Sequence, residues 1–111
     1  MAYQPKMAKD IRSPLESGME IFGGKWKTRV ICVLYSKQPL RFNELKRELV
    51  NITDTVLNST LKELMGYGLV ERHSYNEQPP HVDYRLTDKG MSAIPVLNTI
   101  ADWVETNHTG I

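Results

Sequence analysis

The stretch Asn51–Tyr75, NITDTVLNSTLKELMGYGLVERHSY, changes its apolar period part-way along. Leu57, Leu61 and Leu64 recur at the spacing of one helix face, and Thr53 stands where an N-cap belongs. Gly68 follows near the expected C-terminus, where glycine accepts a left-handed backbone without steric cost. From Leu69 the period becomes two. LVERHSY and, further on, HVDYRLT read as two strands separated by Asn76-Glu77-Gln78-Pro79-Pro80. Proline cannot donate to a sheet ladder, so the Pro pair belongs at the tip of a hairpin.

Upstream, Phe42 to Leu49 reads as a third helix with Phe42, Leu45 and Leu49 on its buried side. Leu40 and Arg41 form a short extended link before it, after a break at Gln38-Pro39. The second helix spans roughly Lys25 to Tyr35 and carries Val30, Ile31, Val33 and Leu34 on a broad face, as a central core helix would. The first helix is expected to start at Ser13-Pro14-Leu15-Glu16, with Ser13 as cap, Pro14 in the first turn and Glu16 closing a capping box. It carries Leu15, Met19 and Phe22 and ends at Gly23-Gly24. Thr87 begins a last helix with Met91, Ile94, Val96, Leu97, Ile100, Trp103 and Val104, apolar around more than one face. A domain this small buries one face, and a partner chain is the simplest cover for the second. Pro95 should kink or interrupt that helix.

The 111 residues suit one domain with a modest core, residues 13–108, after a flexible lead-in at 1–12 and before a tail at 109–111. With 41% apolar and 24% charged residues, the composition is that of an ordinary folded domain. No apolar run approaches the roughly 20 residues of a membrane helix, and the N-terminus lacks the apolar core of a signal peptide. One cysteine, Cys32, excludes an intramolecular disulfide and fits a cytoplasmic protein. Its place in the apolar second helix predicts burial. The net charge of +1 requires any nucleic-acid surface to be concentrated on one face. Lys25, Lys27, Arg29, Lys37, Arg41, Lys46 and Arg47 all precede the fourth helix, whereas the last helix leans acidic.

Two short helices joined by VNIT and followed by a hairpin make an α+β, mainly α fold. It is a winged helix-turn-helix with a two-stranded wing and flanking N- and C-terminal helices. In such folds the second helix of the pair enters the major groove with its N-terminal residues toward the base edges. Here that helix offers Thr53, Asp54, Thr55, Asn58, Ser59 and Lys62. Asn58 can pair bidentately with adenine, while Thr and Ser reach bases or phosphates. Asp54 would repel phosphate unless it caps the helix or accepts from cytosine. Arg41 is the leading phosphate anchor, with Asn43 beside it, and Arg72, His81 and Arg85 are wing candidates. The plain alternative for this face is a solvated helix surface, and for His81 an exposed loop residue.

The series GGKWK, RFNELKREL, ITDTVLNSTLKELMGYGLVER, PPHVDYRLTDKG and LNTIADW, in this order from about Ser13 to Trp103, closely resembles the HxlR-type winged-helix transcriptional regulators, relatives of the MarR-like group. The resemblance implies a homodimer on a two-fold-symmetric, double-stranded operator, usually as a repressor. It implies a dimer interface on the terminal helices, at Leu15, Met19, Phe22, Leu97, Ile100, Trp103 and Val104. Many members of that family carry a cysteine immediately before the proline of the first helix, and in several it senses oxidants or electrophiles. Ser13 stands there in this chain, and serine forms no disulfide or thiol adduct. Thr55 replaces a lysine that is frequent in the family.

Gly23-Gly24-Lys25 lacks the spacing of a nucleotide-binding phosphate loop and has no strand before it. Its glycines are read as ending one helix and starting the next at a sharp angle, with Trp26 wedging the junction. His73, His81 and His108 show no metal-ligand spacing, and no catalytic triad can be assembled, so no enzyme, metal or cofactor is expected. An unidentified small-molecule effector between the dimer helices and the wing domain remains an open partner. Trp26, Met91 and Trp103 are candidates to line its pocket, although core packing is the commoner job for aromatic residues. A winged-helix module that docks protein without specific DNA binding is the alternative function.

Overall fold

The computed structural model describes residues 10–108. Their order is α1 (Arg12–Phe22), α2 (Lys27–Lys37), α3 (Phe42–Glu48), α4 (Asp54–Gly66), β1 (Val70–Tyr75), β2 (His81–Leu86), α5 (Asp88–Ser92) and α6 (Ile94–Asn107). No helix among them is long and apolar enough to cross a membrane.

The core is built on α2. Val30, Ile31 and Leu34 are fully buried there, and α3 adds Leu45. Leu57, Leu61 and Leu64 come from α4, Leu49 and Ile52 from the turn before it, and Leu69, Val70, Tyr84 and Leu86 from the base of the hairpin. Each fully buried leucine contributes about 1.5–3 kcal/mol.

Three local devices fix the direction of α4. Asn51 takes φ 73°, a left-handed conformation that asparagine tolerates, and so turns the chain sharply between α3 and α4. Thr53 then caps α4, its hydroxyl oxygen accepting from Val56 N–H at 3.2 Å. At the other end Gly68, at φ 75°, donates to the Met65 carbonyl while Leu69 donates to that of Leu64, both at 2.9 Å. This is a Schellman motif, and its accompanying apolar contact is supplied by the buried Leu64 and Leu69.

The antiparallel hairpin pairs Val70 with Leu86 and Tyr75 with His81. It is anchored at Tyr84, which exchanges two backbone hydrogen bonds with Leu40 at 2.8 and 3.1 Å. The extended link expected at Leu40 is thus a bridge that ties the wing to the helix pair. Pro79 and Pro80 lie in the connection between the strands, as the sequence predicts.

Three expectations need correction. The first helix begins at Arg12, so Ser13 lies inside the first turn and caps nothing; Ile11 at the cap position makes no side-chain bond. The Asp10 carboxylate takes that role, accepting from Arg12 N–H at 2.9 Å. The Arg12 side chain, and then that N–H, hold the Asp10 carboxyl below its ordinary range. The second helix starts at Lys27 rather than Lys25, because Gly24 at φ 84° keeps the junction non-helical. The single last helix is two. Thr87 caps α5 through Gly90 N–H at 2.9 Å, and α6 restarts with Pro95 in its first turn, where the missing N–H costs nothing.

Leu57→Ala should lower stability by about 2–5 kcal/mol, the range for emptying a leucine site in a packed core. Gly90→Ala should also destabilise, because a Cβ there would overlap the Leu69 carbonyl. Urea unfolding of both variants checks this; wild-type midpoints would mean that the core is placed wrongly.

Candidate nucleic-acid interface

With Leu57, Leu61 and Leu64 committed to the core, α4 turns Thr55, Asn58, Ser59 and Lys62 outward. Their i, i+3, i+4, i+7 spacing makes one solvent-facing stripe. Asn58 keeps its whole amide free for a bidentate contact, with no hydrogen bond to the described residues. The Ser59 hydroxyl donates to the Val56 carbonyl at 3.0 Å and keeps its acceptor capacity.

Asp54 begins α4 and is paired with Lys46 of α3, Nζ to carboxylate 2.7 Å. The pair crosses the turn between the two helices, and a carboxylate in a first helical turn also suits the helix dipole. Asp54 therefore presents a balanced ion pair to the surface rather than a bare negative charge.

Arg41 immediately precedes α3, and the Glu44 carboxylate accepts from its backbone N–H at 2.8 Å. Its side chain opens onto a concavity of about 520 Å³ lined by Arg41, Phe42, Asn43, Glu44, Arg47 and Val82. The fold thus places Arg41, Asn43 and Arg47 around one concavity. The sequence reading counted Arg47 among the cations without assigning it to the site. Its position one turn after Asn43 was the available signal.

In the wing, Arg72 and His73 are exposed on β1. His81 is not a free tip residue. Its imidazole is tilted over Tyr75 at 4.5 Å between centroids, and Nδ1 lies 2.8 Å from the Arg41 guanidinium. Arg85 is half-buried, donating to Tyr75 Oη at 2.8 Å and to Asp83 at 3.4 Å. Burial disfavours its charge, but Asp83 and Tyr75 together raise its pKa above the ordinary arginine value.

The GGKWK loop lies beside α4. Gly23 to Lys27 share a shallow concavity of about 200 Å³ with Val56, Ser59, Thr60 and Glu63. Lys25 is exposed and sits 4.9 Å above the Trp26 ring. Lys27 is buried, donating its ammonium to the Glu20 carbonyl and lying 5.3 Å from the Tyr67 ring centre. That removes Lys27 from the cations available to a phosphate and makes it a strut between α1 and α4.

The residues assigned to a dimer face lie on α1 and α6. Leu15, Met19 and Trp103 are 53%, 54% and 58% exposed, Ile100 is exposed as well, and Phe22, Leu97 and Val104 are half-buried. A concavity of about 340 Å³ between these helices and α2 is lined by Met19, Phe22, Cys32, Leu97 and Ile100, among others. Cys32 is exposed there, contrary to the expected burial. The core stripe of α2 is Lys27, Val30, Ile31 and Leu34. Cys32 falls off it, on a flank that faces the groove. Trp26 lines two shallow concavities beside α2 and α4, and neither is lined by Met91 or Trp103. Trp26 is half-buried against the core, whereas Met91 and Trp103 are exposed, so core packing is not their role either.

The sequence matches the HxlR-like helix-turn-helix family over residues 21–110. An HTH-type transcriptional regulator of Halalkalibacterium halodurans is 42% identical over 101 residues, which is 91% of this chain and 89% of that one. Another from Methanothermobacter thermautotrophicus is 44% identical over 89 residues, 80% of this chain and 67% of its own. Among solved structures, a transcriptional regulator of the MarR family from Enterococcus faecalis V583 superposes with a TM-score of 0.83 at 35% identity, covering 93% of each chain. The reduced form of the transcriptional regulator YodB from B. subtilis gives 0.80 at 30% identity over 97% of each.

Thr53→Ala should cost about 1 kcal/mol of stability through loss of the α4 cap, and Thr53→Ser should restore most of it. Equal unfolding midpoints for the alanine variant and wild type would remove Thr53 as the device that starts α4.

Proposed function

Because this chain belongs to the HxlR-like helix-turn-helix family, a family of transcriptional regulators, we propose that it acts as a homodimeric, sequence-specific repressor on an inverted-repeat operator. The observation that carries this reading is the outward stripe of α4, together with the Arg41–Arg47 concavity that α3 shares with Val82 of the wing. In the proposed complex each α4 enters a major groove, and the two half-sites lie about 34 Å apart. Asn58, with Thr55, Ser59 and Lys62, reads base edges or adjacent phosphates. Thr53 reaches the backbone through the hydroxyl proton that its capping bond leaves free. Arg41, Asn43 and Arg47 hold a phosphate beside α3, and Arg72 follows the backbone at the wing. Repression follows from occupancy, since a dimer seated over a promoter excludes polymerase.

Dimerisation is supported by α1. None of its residues is buried, and an isolated helix of fewer than about 12 residues is marginal in water. Leu15 and Met19, continuous with the groove that reaches Ile100, give it an apolar side that a second copy would cover.

Affinity for duplex DNA should fall steeply as salt rises, because phosphate contacts release counterions. Arg41→Ala should weaken all sequences alike and reduce the logarithmic salt slope by about one. Asn58→Ala should instead change the preference among single-base variants of a bound site by about 1–3 kcal/mol. Salt-independent binding, or an Asn58→Ala variant with unaltered preference, would contradict these assignments. Met19→Asp should yield a monomer in sedimentation at micromolar concentration; an unchanged dimer would move the interface elsewhere.

A further inference from the structure

The contact between His81 and Arg41 joins residues 40 positions apart and links the wing to the helix pair. A guanidinium only donates hydrogen bonds. At 2.8 Å from it, His81 Nδ1 can bond the guanidinium only as a bare, accepting nitrogen, which requires a neutral ring with its proton on Nε2. Nε2 lies 3.5 Å from the Asp83 carboxylate, which is 4% exposed. The same Nδ1 has a second neighbour of opposite kind, Glu77 Oε1 at 3.3 Å, which can only accept. One nitrogen thus faces a donor and an acceptor, and it can satisfy only one of them at a time.

The neutral ring serves Arg41. The imidazolium would donate to Glu77 through Nδ1 and face Asp83 through Nε2, and it would repel Arg41. The remaining surroundings do not oppose this exchange. Tyr75 of β1 packs at a tilt against the ring, His73 stacks on Tyr75 at 5.4 Å, and Arg85 is committed to Asp83 and Tyr75.

We infer that His81 is a positioning residue for Arg41, aiming its guanidinium at the phosphate concavity when neutral and releasing it to solvent when protonated. The inference rests on the DNA-binding reading for its consequence, since the phosphate contact it tunes is the one proposed for Arg41. Acid should therefore weaken DNA binding through this one side chain, against the general tendency of added positive charge to strengthen it.

The test measures the affinity of the full chain for a fluorescein-labelled duplex at low salt, at pH 8 and pH 5.5. Two variants separate hydrogen bonding from packing. H81F keeps the ring on Tyr75 but removes the acceptor; H81N supplies an amide oxygen near Nδ1 and never titrates. At pH 8, H81F should bind on the order of fivefold more weakly, the loss of about one net hydrogen bond, and H81N should stay near wild type. At pH 5.5 wild type should bind on the order of fivefold more weakly than H81N, near the H81F level. In an R41A background the His81 substitutions should have no effect at either pH. Equal wild-type and H81N affinities at pH 5.5, or undiminished His81 effects in R41A, would overturn the inference.

If wild type binds no duplex at either pH, the DNA reading fails by itself. The imidazole ¹⁵N spectrum then decides the positioning role: a bare Nδ1 at pH 8, with a protonation midpoint that rises in R41A, supports it. A protonated Nδ1 at pH 8 refutes it.

Discussion

The one-sided burial of α4 is the constraint on which the rest of the molecule depends. Leu57, Leu61 and Leu64 leave the helix a single way to sit on α2 and the hairpin base. That rotation sends Thr55, Asn58, Ser59 and Lys62 to solvent as a set. The left-handed Asn51 and the Thr53 cap fix where the helix begins, and the Schellman motif at Gly68 fixes where it ends. The hairpin starts directly from that motif, so the wing's direction is inherited from the end of α4. The proposed recognition surface is therefore set by the buried leucines rather than by its own exposed polar groups.

The wing and the helix pair are also joined at two other levels. Leu40 and Tyr84 bond through their backbones, and Arg41, the residue after Leu40, meets His81, three residues before Tyr84. The first contact is insensitive to side-chain chemistry, whereas the second depends on which nitrogen of one imidazole carries a proton. The backbone bridge and the proposed control of Arg41 are thus carried by adjacent but separate bonds.

Much of this was legible in the sequence. The helical spacing of the α4 leucines, the threonine before it and the glycine after it are local signals, and they placed the helix pair and hairpin correctly. The errors share a physical cause. Ser13 and Cys32 were assigned from local chemistry, but a cap depends on where the first turn actually starts, and burial depends on which flank a neighbouring helix leaves open. Pro95 was recognised as a disruption, yet its choice between kinking and splitting the helix rested on the Thr87 cap and on close packing at Gly90. The Asp54–Lys46 pair and the His81–Arg41 contact join different elements, and no periodicity reports them.

The apolar groove among α1, α2 and α6 follows from the same economy. A core centred on α2 uses only one stripe of that helix and leaves α1 with no buried residue. In the proposed dimer these terminal helices would supply half of a larger core. The most direct test of the central claim is selection from random duplex DNA with the purified chain at low salt. The account predicts enrichment of an inverted repeat with half-sites about one helical turn apart. Recovery of no common sequence, or of an asymmetric single site bound by one copy, would contradict it.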